Sequence, residues 1–393
     1  MTRWIYSLLL AVPATFLVEA LHAPPLVIFI VAALGLIPLA GLIGLATEVL
    51  AERLGHGIGG LLNATFGNAA EIIIGLVALS AGLPEVVRAS LAGSIIGNVL
   101  LVLGCSMLSG GWRYRQQAFA PSLAGQYAVM LILSVIGMAI PSLLATVGEG
   151  ARPGSTVVRG SELHQLSLAV AIILLLCYIA YIAYSVFGVR AASGHAEALR
   201  ASSREEVADE KRQVVREKIE RLQARRGLAG LYIAFAVQWQ TTFWLPVAAL
   251  AATTVVVAIV SEMLVGTIEP LTHQVGLNTF FVGLILLPIV GNAAEHFSAI
   301  TAAMRNHMEI SMAITAGSSI QIALLAAPVL VLAGPLVGVP LDLNFSLLEV
   351  ATFALAALLY ALISLDGQST WLEGLLLVAF YVILAVSIFF IPV

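Results

Sequence analysis

The chain has 393 residues, of which 60% are hydrophobic and 10% charged, with a net charge of -4 and a mean hydropathy of +1.03. That composition excludes a soluble globular domain, calls for no nucleic-acid partner, and predicts an all-α integral membrane protein embedded in a lipid bilayer. The 18 Lys and Arg residues gather at the ends of apolar segments and in one central stretch, which lets orientation be read from them.

A helix needs about 20 apolar residues to cross the hydrocarbon core. Runs of that kind lie near 4–21, 25–50, 57–82, 84–109, 120–146, 164–188, 241–264, 274–303, 307–333, 345–364 and 370–391. They predict about 11 transmembrane helices. Arg3 before the first run resembles a secretory signal, but Glu19 and the length of the run argue for a retained helix. Cys105 and Cys177 lie inside apolar runs and support neither a disulfide nor a thiolate metal site.

With the N-terminus in the cytoplasm, Arg3, Arg53, Arg113, Arg115, Arg305 and the ten basic residues of 190–226 share one side. Only Arg88, Arg152 and Arg159 fall opposite. This bias places 195–226 in the cytoplasm and, with an odd number of spans, the C-terminus on the other side. The stretch 189–240 reads as a charged connector helix, with Ser203 and Glu206 forming a capping box. It is either a solvated link or, through its basic end at Arg221, Arg225 and Arg226, a regulatory or lipid-surface element.

The pentapeptide Gly67-Asn68-Ala69-Ala70-Glu71 recurs as Gly291-Asn292-Ala293-Ala294-Glu295. A shift of 224 residues superimposes 67–104 on 291–328 without a gap, with 14 of 38 positions identical, including Ala92-Gly93-Ser94 on Ala316-Gly317-Ser318. The equivalent spans are the third and the eighth, so they run in opposite directions. The chain therefore divides into an extra N-terminal helix (1–24), a first five-helix repeat (25–188), the connector (189–240) and a second, inverted five-helix repeat (241–393). Such inverted repeats are typical of secondary transporters with a site at the bilayer midplane.

A carboxylate inside an apolar span costs a few kcal/mol at least and is usually found facing a partner, a cavity or an ion path. Glu71 and Glu295 are two such acids. Asn63, Gly67, Asn68, Glu71 and Gly75 fall on one helix face, and a break near Gly67 would free carbonyl oxygens. Pro288 has no N–H to give the carbonyl of Leu284, which loosens the turn before Gly291. Carboxylate, amide and carbonyl oxygens are hard ligands that suit Ca²⁺ better than Zn²⁺ or copper. Packing by small residues is the competing reading, but packing does not call for a duplicated Asn and Glu.

Ser94 and Asn98, with Ser318 and Gln321, form a second layer that repeat symmetry puts beside the acids. They either orient the carboxylates and relay a proton or bond helix to helix. Gly97 aligns with Gln321 and Asn98 with Ile322, so the halves are not chemically equal. Glu48 and Glu262, near the ends of their spans, are either ion and proton access groups or hydrated interfacial acids. His296, directly after Glu295, either shuttles a proton or packs between helices.

The stretches Leu61-Leu62-Asn63-Ala64-Thr65-Phe66-Gly67-Asn68-Ala69-Ala70-Glu71 and Leu286-Leu287-Pro288-Ile289-Val290-Gly291-Asn292-Ala293-Ala294-Glu295-His296 resemble the two signature repeats of the calcium/proton exchangers of the cation/Ca²⁺ antiporter superfamily. Gly317-Ser318-Ser319-Ile320-Gln321-Ile322-Ala323 is similar to that family's next helix, and the likeness covers essentially the whole chain. The resemblance implies that Glu71 and Glu295 bind Ca²⁺ with the carbonyls of Gly67 and Gly291, assisted by Asn68 and Asn292. It implies a transporter of Ca²⁺ and H⁺, not an enzyme, that needs no cofactor. Sodium-coupled exchange and, less well, a passive cation channel are the alternatives, and a homo-oligomer is compatible with the sequence.

Overall fold

Pro25 opens the first long helix of the protein, where its missing N–H costs nothing and its fixed φ favours a helical start. The computed structural model describes residues 5–149, 160–184 and 243–391, which are almost entirely helical. The predicted connector helix with Ser203 and Glu206, together with Arg152 and Arg159, lies outside the described residues.

A 3₁₀ turn, Ile5–Leu10, leads into α1 (Ala11–Ala20). α2 (Pro25–Phe66) then runs for 42 residues. The sequence predicts a turn near 51–56, between the runs 25–50 and 57–82, but the helix continues through it. Glu and Arg are good helix formers and an isolated Gly costs only about 1 kcal/mol, so Glu52, Arg53 and Gly55 are too weak to stop it. The break comes later, at Gly67 and Asn68, before α3 (Ala69–Ser80).

The first half continues with α4 (Pro84–Tyr114), α5 (Pro121–Glu149) and α6 (Ser161–Ala183). The second holds α7 (Trp244–Gly266), α8 (Ile268–Val275), α9 (Thr279–Gly291), α10 (Ala293–Met304), α11 (Met308–Leu336), α12 (Leu347–Ile363) and α13 (Trp371–Phe389). Among the described residues seven helices are long and apolar enough to cross a membrane, and α9 with α10, bent by 61° at Asn292, form either a broken eighth span or a re-entrant pair. Ser7–Ala20, α3 and α12 are shorter apolar helices. The protein is therefore a mostly helical, multi-pass membrane protein. Of the eleven predicted crossings, the third is divided by the break at Gly67 and Asn68, and the first and tenth fall to the shorter helices.

Local structure repeats at the 224-residue shift. α4 and α11 each contain a π-helical turn, at Gly97–Val102 and Ile322–Ala326. Such wide turns insert a residue into the helix and re-aim the side chains beyond it. α3 and α10 end alike: Gly82 and Asn306 both take positive φ, 79° and 63°. In each, the next N–H reaches five residues back, Leu83 to Ala78 and His307 to Ala302, closing the last turn.

α4 is the most enclosed of the long helices, burying Ile95, Ile96, Leu100, Leu103 and Met107. It meets α9 backbone to backbone: a Cβ on Gly93 would stand 2.0 Å from the carbonyl oxygen of Leu284. α2 packs along α7, while Leu133, Leu176 and Ile383 point outward as a lipid-facing surface suits. β1 (Gln116–Ala118) pairs antiparallel with β2 (Gln368–Thr370), Gln117 opposite Ser369. Buried Gln117 also donates to Ala303 O at 2.8 Å and Asn306 Oδ1 at 3.0 Å, which fastens the end of α10.

Candidate cation site

The site begins with the two helix breaks. Asn68 (φ -104°, ψ 24°) and Asn292 (φ -90°, ψ 14°) both leave helical geometry. Beyond each break the first backbone bond runs from Ile72 N–H to the Asn68 carbonyl at 3.1 Å and from His296 N–H to the Asn292 carbonyl at 3.0 Å. The carbonyls of Gly67 and Gly291 thus lack their helical partners four residues on, as the sequence leads one to expect. Glu71 and Glu295 stand in the first turns of α3 and α10, where the helix dipole favours negative charge.

Both carboxylate oxygens of Glu71 are buried and have no hydrogen-bond partner among the described residues. The side chain lies against the other half of the chain: a Cβ on Gly291 would be 3.4 Å from Glu71 Cγ and 3.9 Å from Oε1. Glu295 is half-buried in the first turn of α10, four residues after Gly291. Glu71, Gly291 and Glu295 therefore share one neighbourhood.

Around the acids each motif asparagine bonds across to the opposite half. Asn292 Nδ2 donates to Ser94 Oγ at 3.0 Å and to Pro288 O at 3.0 Å. Asn68 Nδ2 donates to Gln321 Oε1, and Ser318 Oγ donates to Asn68 Oδ1 at 3.5 Å. Asn98 Nδ2 donates to Ser318 Oγ at 3.1 Å. Ser94, Asn98 and Ser318 are buried and Gln321 half-buried. The predicted second layer is thus assembled from both halves. Asn292 Oδ1 and Asn98 Oδ1 are buried without a partner among the described residues.

Other predicted residues stand elsewhere. Glu48 on α2 and Glu262 on α7 are exposed, outside the enclosed set. His296 is half-buried, one residue past Glu295 on α10. Gly75 serves packing, since a Cβ there would be 2.7 Å from Leu330 Cδ1. Leu284, opposite Pro288, spends its carbonyl face against Gly93. No local pattern predicts that contact, and the duplicated Gly317 has no counterpart to it among the described residues.

Among the described residues no group of three or more His, Cys, Asp or Glu converges. A cation here would meet two carboxylates and several neutral oxygens, a donor set that fits Ca²⁺. Broken helices and carboxylates inside the helix bundle define the class: a polytopic membrane protein with acids placed where membrane proteins carry function.

Comparison with known proteins gives the family. The model of the sodium/calcium exchanger protein family matches residues 24–187 and 245–390, and the chain belongs to that family. A Ca²⁺/H⁺ antiporter of Aphanothece halophytica is 40% identical over 388 residues, covering 99% of this chain and 96% of that one. The Ca²⁺/H⁺ antiporter ChaA of Bacillus subtilis is 37% identical over 390 residues, 99% of each. The solved structure of native YfkE, a Ca²⁺/H⁺ antiporter protein, is 34% identical and superimposes with a TM-score of 0.77, covering 99% of this chain and 100% of that one.

Proposed function

We propose that this protein is a secondary active transporter that exchanges Ca²⁺ for H⁺ across a membrane, exporting or sequestering cytosolic Ca²⁺. One observation carries the reading: Glu71, whose two buried carboxylate oxygens have no partner among the described residues, lies against Gly291 of the other half, four residues before Glu295. The Ca²⁺/H⁺ antiporters among its relatives support the same exchange.

Physics supplies the coupling. Two carboxylates are balanced by one Ca²⁺ or by two protons. An empty, doubly charged pair is too costly to carry through a closed, dry state, so only a loaded site changes sides. In this reading Glu71 and Glu295 bind Ca²⁺ with the carbonyls of Gly67 and Gly291, and Asn68 and Asn292 assist. Ser94, Asn98, Ser318 and Gln321 orient them, while Glu48, Glu262 and His296 serve proton or ion access.

The architecture belongs to the same proposal: an extra helix over 1–24, then two inverted five-helix repeats, 25–188 and 241–393, giving 11 crossings. Helix termini and wide turns that recur at the 224-residue shift support this division. The N-terminus and connector are cytoplasmic and the C-terminus opposite, on the strength of the basic residues.

Proteoliposomes loaded with protons decide the function. Uptake of ⁴⁵Ca²⁺ driven by a pH gradient is the expected result. Uptake driven by a Na⁺ gradient alone would make the protein a sodium-coupled exchanger, and passive collapse of a Ca²⁺ gradient would make it a channel.

A further inference from the structure

The two motif asparagines are repeat equivalents, yet their surroundings differ at one position. Ser94 and Ser318 are equivalent and each bonds the asparagine of the opposite half. Gln321 has no such counterpart, because Gly97 stands at its equivalent place. The consequence appears in the amides. Asn68 gives its nitrogen to Gln321 and takes the Ser318 hydroxyl on its oxygen. Asn292, 1% exposed, spends its nitrogen on Ser94 and Pro288 and keeps a buried oxygen without a partner among the described residues. That oxygen belongs to the residue after Gly291, against which the partnerless carboxylate of Glu71 lies.

A buried acceptor with no donor is costly, about 1–3 kcal/mol, unless something binds it. Both Glu71 oxygens and the Asn292 oxygen are acceptors of this kind among the described residues, as is Asn98 Oδ1 on α4. Asn68 adds none, since its oxygen is already met.

We propose that Gln321 is a positioning residue that makes the asparagines unequal, holding Asn68 away from the cation and leaving Asn292 as the amide ligand. This rests on the Ca²⁺ reading above. It adds that a single Gln/Gly difference makes the centre lopsided. Gly97 bears on the same point from the other half. Nothing among the described residues lies within 4 Å of where its Cβ would be, so a side chain can start there without a backbone clash.

The test is a double-mutant cycle on the purified full-length protein, with Ca²⁺ affinity measured by isothermal titration with CaCl₂ at one alkaline pH. Asn292→Ala is expected to weaken binding at least tenfold and Asn68→Ala less than about threefold. In a Gln321→Ala background, Asn68→Ala should become as costly as Asn292→Ala, because the freed amide then turns its oxygen to the ion. A merely structural Gln321 would instead lower affinity or melting temperature without changing the cost of Asn68→Ala. Gly97→Gln covers the case in which Asn292→Ala fails to fold. Its added amide N–H should occupy the Asn292 oxygen and weaken Ca²⁺ binding, and wild-type affinity in that variant overturns the proposal. Equal losses for the two asparagines in wild type overturn it as well. Absence of Ca²⁺ binding or proton-driven uptake by the wild type would sink the function itself, an outcome distinct from either.

Discussion

Glu71 faces Gly291 across the two halves of the chain, with Glu71 Cγ 3.4 Å from the point where a Gly291 Cβ would lie. The glycine is thus the floor on which the carboxylate rests. Gly291→Ala should be accommodated with a shift of a few tenths of an ångström and a modest loss of affinity. Gly291→Val would push the carboxylate off its position and is expected to weaken Ca²⁺ binding tenfold or more. Titration calorimetry on both variants checks the gradation, and equal affinities in the two would show that the contact is irrelevant to the site.

Removing either acid is expected to abolish exchange while the protein stays folded. Glu71→Gln and Glu295→Gln keep the shape, but an amide cannot carry the charge that Ca²⁺ balances. Proton-driven ⁴⁵Ca²⁺ uptake near the wild-type rate in either purified variant refutes the assignment.

Protons and Ca²⁺ should compete for the pair. Protonation removes the charge that holds the cation, so apparent affinity falls as pH drops and recovers as pH rises. The slope approaches two protons per Ca²⁺ where both acids titrate together. Each tenfold loss corresponds to about 1.4 kcal/mol. In Glu71→Gln the slope of any residual binding should shrink toward one. A calorimetric pH series measures it; a flat profile across the range where transport responds to pH would move the protons to Glu48, Glu262 or His296.

Gly93→Ala tests the helix contact behind the site. The added methyl would meet the backbone oxygen of Leu284 at 2.0 Å, and backbone has no rotamer by which to yield. The expected cost is roughly 1–3 kcal/mol, seen as a lowered melting temperature. Gly317→Ala, at the equivalent place with nothing among the described residues within 4 Å, should be nearly neutral. Equal destabilisation by both would contradict the packing described.

Much of this centre was legible because duplication marks it. The repeated Gly-Asn-Ala-Ala-Glu drew attention to the acids, and the 224-residue shift singled out Ser94, Ser318 and Gln321, which bond the motif asparagines, and Asn98, which bonds Ser318. The helix breaks were legible too, from Gly67 and from Pro288 before Gly291. The passage of α2 through 51–56 was not, since three weak local signals lose to cooperative helix propagation. Nor were the π turns or the pairing of β1 with β2, which depend on tertiary contacts that no local pattern encodes. Glu48 and Glu262, near the ends of their spans, left access groups and hydrated interfacial acids equally open in the sequence, and the fold leaves both exposed, outside the enclosed set.

The unbroken course of α2 has a mechanical consequence. At 1.5 Å per residue its 42 residues extend about 63 Å, roughly twice a hydrocarbon core of ~30 Å. A helix that long runs steeply oblique or projects beyond the slab, and Pro38, inside it, is a natural fulcrum. Phe66 lies about 28 residues further on, some 42 Å away by the same rise. A swing of about ten degrees at Pro38 displaces that end by roughly 7 Å. The helix leading into Gly67 and Asn68 is in this sense a lever arm, with the first helix break at its long end.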